Sequence, residues 1–271
     1  MAQIIDGKKI STQIKDEVKE QVAALKQKGI DVTLAVIQIG KDPASTVYVG
    51  NKKKACEYVG IRSLAYELPE ETSEQELLEL VQSLNAKEDV DGILVQLPLP
   101  KHIDEDKVIR TISPDKDVDG FHPESVGRLS IGQPGFVSCT PAGIIQLLKR
   151  SGITIDGKEC VIIGRSNIVG KPMGMLLLRE NGTVTICHSH TPDLKTVAKR
   201  ADILVVAIGK AKFVDASYVK DGAAVIDVGM DRDENGKLCG DVDFASVEPV
   251  AGAITPVPVS YTHLRAHETK A

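Results

Sequence analysis

Val161-Ile162-Ile163-Gly164-Arg165-Ser166-Asn167-Ile168-Val169-Gly170-Lys171-Pro172-Met173 is the stretch that decides the fold. Three β-branched residues read as a buried strand, and Gly164 ends it. Gly170 then precedes Lys171-Pro172, where a proline starts a helix without costing it a hydrogen bond. Strand, glycine turn and helix N-terminus offer free backbone N–H groups and the positive end of a helix dipole to a phosphate. The spacing departs from Gly-x-Gly-x-x-Gly, because Ser166 stands where the second glycine belongs. Alone, the stretch leaves an ordinary strand-to-helix turn open.

The sequence that follows narrows the reading. A second strand, Thr183-Val184-Thr185-Ile186-Cys187, ends in His188-Ser189-His190. An NAD site usually places an Asp or Glu about 20 residues past the glycine turn, where it accepts from the ribose 2′-hydroxyl. This strand end carries no carboxylate. It offers the hydroxyl of Ser189, while Arg165 supplies a fixed positive charge beside the first turn. That pair suits a 2′-phosphate, so the expected cofactor is NADP rather than NAD.

The bulk properties exclude several classes. A chain of 271 residues, 42% hydrophobic and 26% charged, is an ordinary globular sequence long enough for two modest domains. A net charge of −5 argues against a broad nucleic-acid footprint; Lys52-Lys53-Lys54 is the single dense basic run. No apolar stretch approaches the roughly 20 residues needed to cross a bilayer. Met1-Ala2-Gln3-Ile4-Ile5-Asp6 is not patterned as a signal peptide. The cysteines Cys56, Cys139, Cys160, Cys187 and Cys239 form no Cys-x-x-Cys pair, which predicts reduced, mostly buried thiols in a cytoplasmic protein. Cys56, close to the basic run, is read as core filler before reactive thiol. His188 and His190 alternate at a strand end without a Cys or carboxylate cluster to complete a zinc site.

The chain alternates helix and strand. Ile10, Ile14, Val18, Val22 and Leu25 predict a helix over about Lys8 to Lys28, closed by Gly29. A strand over Thr33 to Gln38, a turn at Gly40-Lys41-Asp42-Pro43 and a helix over about Ala44 to Val59 follow. Ser63 to Leu68 reads as a strand. Ser73 to Asn85 reads as a helix in which Ser73 and Glu76 form a capping box. Another strand covers Gly92 to Gln96, and a short helix Glu105 to Arg110. Pro, Gly, Asp and Ser crowd residues 113–140, which predicts a long functional loop. A helix over Pro141 to Arg150 leads to strands near residues 161, 183, 203, 223 and 253. The predicted fold class is α/β in two domains: an N-terminal catalytic domain over 1–120, a connecting loop over 121–140, and a Rossmann-type NADP-binding domain over 141–258, with a cleft between the two domains.

Candidate chemistry in the first half comes in three words. Tyr48 and Lys52 stand four apart on a predicted helix and share a face. Gln96 ends a parallel strand, the edge at which open α/β sheets collect their sites. Asp119 lies in Asp117-Val118-Asp119-Gly120-Phe121, within the long loop. Singly, a surface pair, a local cap and a turn explain them as well.

In order, the words Val47-Tyr48-Val49-Gly50-Asn51-Lys52-Lys53-Lys54-Ala55-Cys56, Val95-Gln96-Leu97-Pro98-Leu99-Pro100, Lys116-Asp117-Val118-Asp119-Gly120-Phe121, Cys139-Thr140-Pro141-Ala142-Gly143, Gly164 to Met173 and Ile254-Thr255-Pro256-Val257-Pro258 resemble one family. It is the bifunctional methylenetetrahydrofolate dehydrogenase/methenyltetrahydrofolate cyclohydrolase (FolD) family, and the resemblance covers residues 1–258. It implies hydride transfer from methylenetetrahydrofolate to NADP, then hydrolysis of the methenyl product to 10-formyltetrahydrofolate. It implies Lys52 for proton movement in hydrolysis, Gln96 orienting Lys52, Tyr48 stacking on the folate and Asp119 binding the pterin. For the cofactor it implies Gly164, Arg165, Ser166 and Ser189 at the phosphates and the Met230 backbone at the nicotinamide. It also implies a homodimer through the cofactor domain.

Past Pro258 the resemblance stops. The family continues with a glycine-rich loop and a long terminal helix, whereas residues 259–271 are polar, hold two of the six histidines and read as a foreign ending. Two other readings stay open: an NADP-linked dehydrogenase of a small carbonyl acid, and an inactive dinucleotide-binding protein.

Overall fold

A computed structural model describes residues 1–257; the expected foreign ending lies outside the described residues. The chain divides into two compact units, one of Met1–Ser11 with the chain from Ser138 onward, the other of Thr12–Val137.

The Thr12–Val137 unit is built on three parallel strands, β2 (Thr33–Ile39), β3 (Arg62–Leu68) and β4 (Gly92–Val95), in the order β3-β2-β4. β2 is buried along its whole length because helices cover both faces. Alternate residues Ala35, Ile37 and Ile39 meet Leu77, Leu78, Val81 and Leu84 of α3 (Glu74–Asn85) and Val108 of α4 (Glu105–Thr111). Leu34 and Val36 point the other way, to Val22 of α1 (Gly7–Gln27) and to Val49, Cys56 and Val59 of α2 (Pro43–Val59). The expected capping box forms: Ser73 and Glu76 exchange hydrogen bonds at the start of α3.

The other unit carries a parallel six-stranded sheet, in the order β1-β11-β8-β7-β5-β6. Its members are β1 (Gln3–Ile4), β5 (Glu159–Ile163), β6 (Thr183–Cys187), β7 (Ile203–Val206), β8 (Ala224–Asp227) and β11 (Ala253–Ile254). α6 (Cys139–Arg150), α7 (Gly170–Arg179), α8 (Leu194–Ala198) and α9 (Phe244–Val247) belong to it as well. An antiparallel pair, β9 (Asp231–Arg232) with β10 (Leu238–Cys239), extends past β8.

Three expectations are corrected. The first residues do not group with the N-terminal domain: β1 pairs in parallel with β11, and Met1–Ser11 belong to the unit that continues from Ser138. The stretch 121–140 is not one loop. It contains α5 (Pro123–Ser130), with proline in the first turn and the His122 ring accepting from Glu124 N at 3.1 Å. Asp117 pins that helix, because its Oδ2 accepts from His122 N and from Ser125 Oγ, both at 2.8 Å. α6 also starts earlier than expected, at Cys139, which puts Pro141 inside its first turn.

Among the described residues, no helix is long and apolar enough to cross a membrane. All five cysteines are free thiols; four are buried and Cys239 is partly so.

Candidate active site

In the Thr12–Val137 unit, helix periodicity and sheet pleat decide where the candidate residues stand. Ser45, Val49, Cys56 and Val59 are buried on α2, each three or four residues from a position on the same line. Lys52 completes that line between Val49 and Cys56. A lysine therefore occupies the stripe α2 turns toward the sheet, and it is only partly exposed. Among the described residues, no acceptor bonds its ammonium. The nearby Cys56 is filler, as expected: burial pushes its thiol up to about 11, against the lowering effect of Lys52.

Gln96 follows β4, where Ile93 and Val95 face α3 and Leu94 faces α2. The pleat therefore sends Gln96 to the α2 side, the side that carries Lys52. Its Nε2 donates to the Leu97 carbonyl at 2.7 Å. Its Oε1 is buried with no hydrogen-bond partner, and the residue is 9% exposed. An orphaned acceptor of this kind costs about 1–3 kcal/mol unless a donor reaches it. Tyr48 lies one turn before Lys52 and is half-buried.

The two aspartates of the Asp-Val-Asp-Gly word separate. Asp117 is 2% exposed and committed to α5, whereas Asp119 is partly exposed. Gly120 turns the chain between them and α5 with φ +66°.

In the other unit the glycine turn forms where expected. Gly164 has φ +132°, and a Cβ there would stand 2.3 Å from the Ala207 carbonyl oxygen. A Cβ on Gly170 would lie 2.3 Å from the Gly164 oxygen, so both glycines are dictated by backbone approach. The helix N-terminus differs from expectation. Its N–H groups are not free, because Ser166 Oγ accepts from Val169 N at 3.1 Å and Gly170 N at 3.3 Å, and Ser166 O accepts from Lys171 N at 3.0 Å. The open donors lie earlier, at the amides of Arg165, Ser166, Asn167 and Ile168, which bond nothing among the described residues. Successive unpaired amides in a tight turn make an anion nest.

Ile163 pairs with Cys187, so Arg165 and Ser189 stand two residues beyond the same register on neighbouring strands. Both are exposed, and the guanidinium has no ion partner among the described residues. Met230 follows β8 and is 37% exposed.

Two family models match the chain: "Tetrahydrofolate dehydrogenase/cyclohydrolase, catalytic domain" over residues 5–119, and the "NAD(P)-binding domain" of the same family over residues 138–264. The bifunctional protein FolD of Lachnoclostridium phytofermentans is 74% identical over 258 residues, 95% of this chain and 92% of its own. The chain belongs to the tetrahydrofolate dehydrogenase/cyclohydrolase family. Solved members share the fold. The bifunctional FolD enzyme of Campylobacter jejuni superposes with a TM-score of 0.96 at 47% identity, covering 99% of this chain and 95% of that one. A Trypanosoma brucei FolD, solved with NADP cofactor and an inhibitor, gives 0.92 at 38% identity over 98% and 94%.

Within this family fold, sequence reading missed residues that organise the site without a motif of their own. Asp117 stood in a quoted word but was passed over for Asp119. Asp227 and Asp241 are absent from the candidate residues that motifs and spacing pick out. Their signal was a carboxylate beside glycine at the end of an apolar strand, Asp227-Val228-Gly229, answered by Gly240-Asp241-Val242.

Proposed function

We propose that this chain oxidises 5,10-methylenetetrahydrofolate with NADP and hydrolyses the 5,10-methenyl product to 10-formyltetrahydrofolate. The carrying observation is Lys52 on the buried line of α2, facing the side of the sheet where Gln96 holds an unpaired buried oxygen. Family membership at 74% identity supports the same pair of reactions. NADP, when bound, accepts the hydride. Oxidation leaves a cation that the lone pairs of its flanking nitrogens stabilise, so the protein need supply alignment rather than an acid or base.

Hydrolysis needs proton movement, and Lys52 is the group to provide it. Gln96 Oε1 is the acceptor that would orient the Lys52 ammonium. Tyr48 offers a ring for stacking against the pterin, and Asp119 a carboxylate for its amino and ring N–H groups. The residues around Gly164 fit the cofactor's phosphates: unpaired amides, the Ser166 hydroxyl, and Arg165 with Ser189 for the 2′-phosphate. The Met230 backbone is the nicotinamide contact. We read the protein as a cytoplasmic homodimer formed through the cofactor-binding unit, on family resemblance and on its reduced thiols.

The test follows NADPH formation with methylenetetrahydrofolate, and methenyl hydrolysis separately, in the wild type and Lys52→Met. Substitution should abolish hydrolysis while NADP affinity stays within about threefold, because the cofactor residues lie in the other unit. Hydrolysis at the wild-type rate would remove Lys52 from the mechanism.

A further inference from the structure

The turn after β8 is built on two buried carboxylates that no step above uses. Asp227 is 4% exposed and Asp241 has no exposure at all. Asp227 Oδ1 accepts from Gly229 N at 3.0 Å and Asp241 N at 2.9 Å, and its Oδ2 accepts from Val242 N at 3.0 Å. Asp241 reaches the loop after β7, accepting from Ile208 N at 2.7 Å and Lys210 N at 2.6 Å. Thr255, at the end of β11, takes the Asp227 N–H on its own Oγ1 at 2.8 Å.

The packing leaves no slack. A Cβ on Gly240 would stand 1.9 Å from Asp227 Oδ2, and one on Gly229 2.3 Å from Asp241 N. Asp231 closes the far side. Its Oδ2 is buried without a hydrogen-bond partner, and burial, with Asp241 nearby, holds its carboxyl above the ordinary carboxylate range. Gly229-Met230-Asp231 is held at one end by Asp227, which accepts from Gly229 N, and at the other by the pairing of Asp231 with Cys239.

The position of this clasp in the sheet gives it a use. In the order β8-β7-β5-β6 the strands run outward from β5 in both directions, and a dinucleotide lies across such a reversal with one half over each side. Arg165 and Ser189 occupy the β5–β6 side, with chemistry suited to a phosphorylated adenosine ribose. The loops held by the carboxylates occupy the β7–β8 side.

We infer that Asp227 and Asp241 are positioning residues for the nicotinamide half of the cofactor, shaping the backbone of Ile208–Lys210 and Gly229–Asp231 that receives it. This rests on the NADP-binding reading above.

The experiment titrates wild type and Asp241→Asn with two ligands, NADP and adenosine 2′,5′-bisphosphate, by calorimetry. The amide cannot accept on both sides, so one N–H of the β7 loop loses its partner. NADP affinity should fall about tenfold or more, the cost of an unpaired buried donor, while the bisphosphate changes by less than about twofold. Methenyl hydrolysis, which uses no nicotinamide, should stay within about twofold of wild type, being assigned to the other unit. Gly240→Ala, which displaces Asp227 by steric pressure, should show the same split. Equal weakening of both ligands, loss of hydrolysis along with them, or undiminished NADP binding would each overturn the inference. A wild type that binds NADP yet forms no NADPH with methylenetetrahydrofolate would sink the functional reading instead, leaving the clasp to be judged by binding.

Discussion

The turns after β5 and β8 leave the same edge of one parallel sheet, yet they treat their backbone donors oppositely. After β5, the amides of Arg165 to Ile168 bond nothing among the described residues, and Arg165 and Ser189 stand exposed beside them. After β8, the amides of Gly229, Asp241 and Val242 are all taken by Asp227. A turn that binds an anion must keep its donors open. A turn that presents backbone to a flat ring gains from being held still, because order provided by the fold is not lost again on binding. On the proposed reading, the difference separates a surface that reads charge from one that fixes shape.

The sharpest way to break the open turn is Gly164→Ala. Its Cβ meets the Ala207 oxygen at 2.3 Å, and its φ of +132° is hostile to any side chain. A stability loss of about 3 kcal/mol or more is expected in urea unfolding. Gly209→Ala is the control: φ is +64° and nothing lies within 4 Å, so about 1–2 kcal/mol is expected. Equal losses would mean that close approach to Ala207 does not matter.

Arg165→Ala tests charge against shape. Losing charge-assisted bonds to a 2′-phosphate should raise KM for NADP about tenfold to a hundredfold while changing that for NAD less than about threefold. Asp241→Asn should raise both alike, since both cofactors carry the nicotinamide. Steady-state kinetics with each cofactor would separate the two sides, and a common pattern for both variants would erase the distinction.

The smallest effect is a pH dependence that belongs to the clasped turn. Burial pushes Asp227 up to about 7 from an ordinary 3.8, with the N–H groups of Val242, Gly229 and Asp241 pulling it down and the Asp241 charge pushing it up. A raised folded-state value gives a contribution to stability that is complete below 3.8 and lost as pH rises through about 7. The urea midpoint should therefore carry a downward component across that window. Asp227→Asn should remove that component; an unchanged pH profile in the variant would show that Asp227 is not its source.

Much of this was legible in local order. The strand and glycines around Gly164 had to be a turn because apolar β-branched residues end there abruptly, and the Ser73–Glu76 box needed only three residues of spacing. Lys52 was legible in a way the family words did not require: counting three and four from Ser45 through Val49 to Cys56 and Val59 lands on it. A lysine on an apolar line calls for an explanation that a solvated basic run does not.

What escaped depended on partners far along the chain. α5 looked like loop because Pro, Gly and Ser dilute its apolar spacing, and only Asp117 reaching His122 and Ser125 shows where it starts. The availability of donors was misjudged at the start of α7, because Ser166 could as easily have faced solvent as turned back on Val169 and Gly170.

By itself, the sequence determined most of the main strands and helices, the glycine turn at Gly164 and the family, because those rest on short-range spacing and on words that carry their own chemistry. Only the tertiary structure decided that β1 closes the far side of the other unit's sheet, that Asp117 and Asp119 part company, and that Asp227 and Asp241 meet. Each is a pairing across many residues, in which burial turns an ordinary carboxylate or a two-residue strand into a constraint. Local sequence cannot state such a pairing, since the same residues in a different register would be solvated and indifferent.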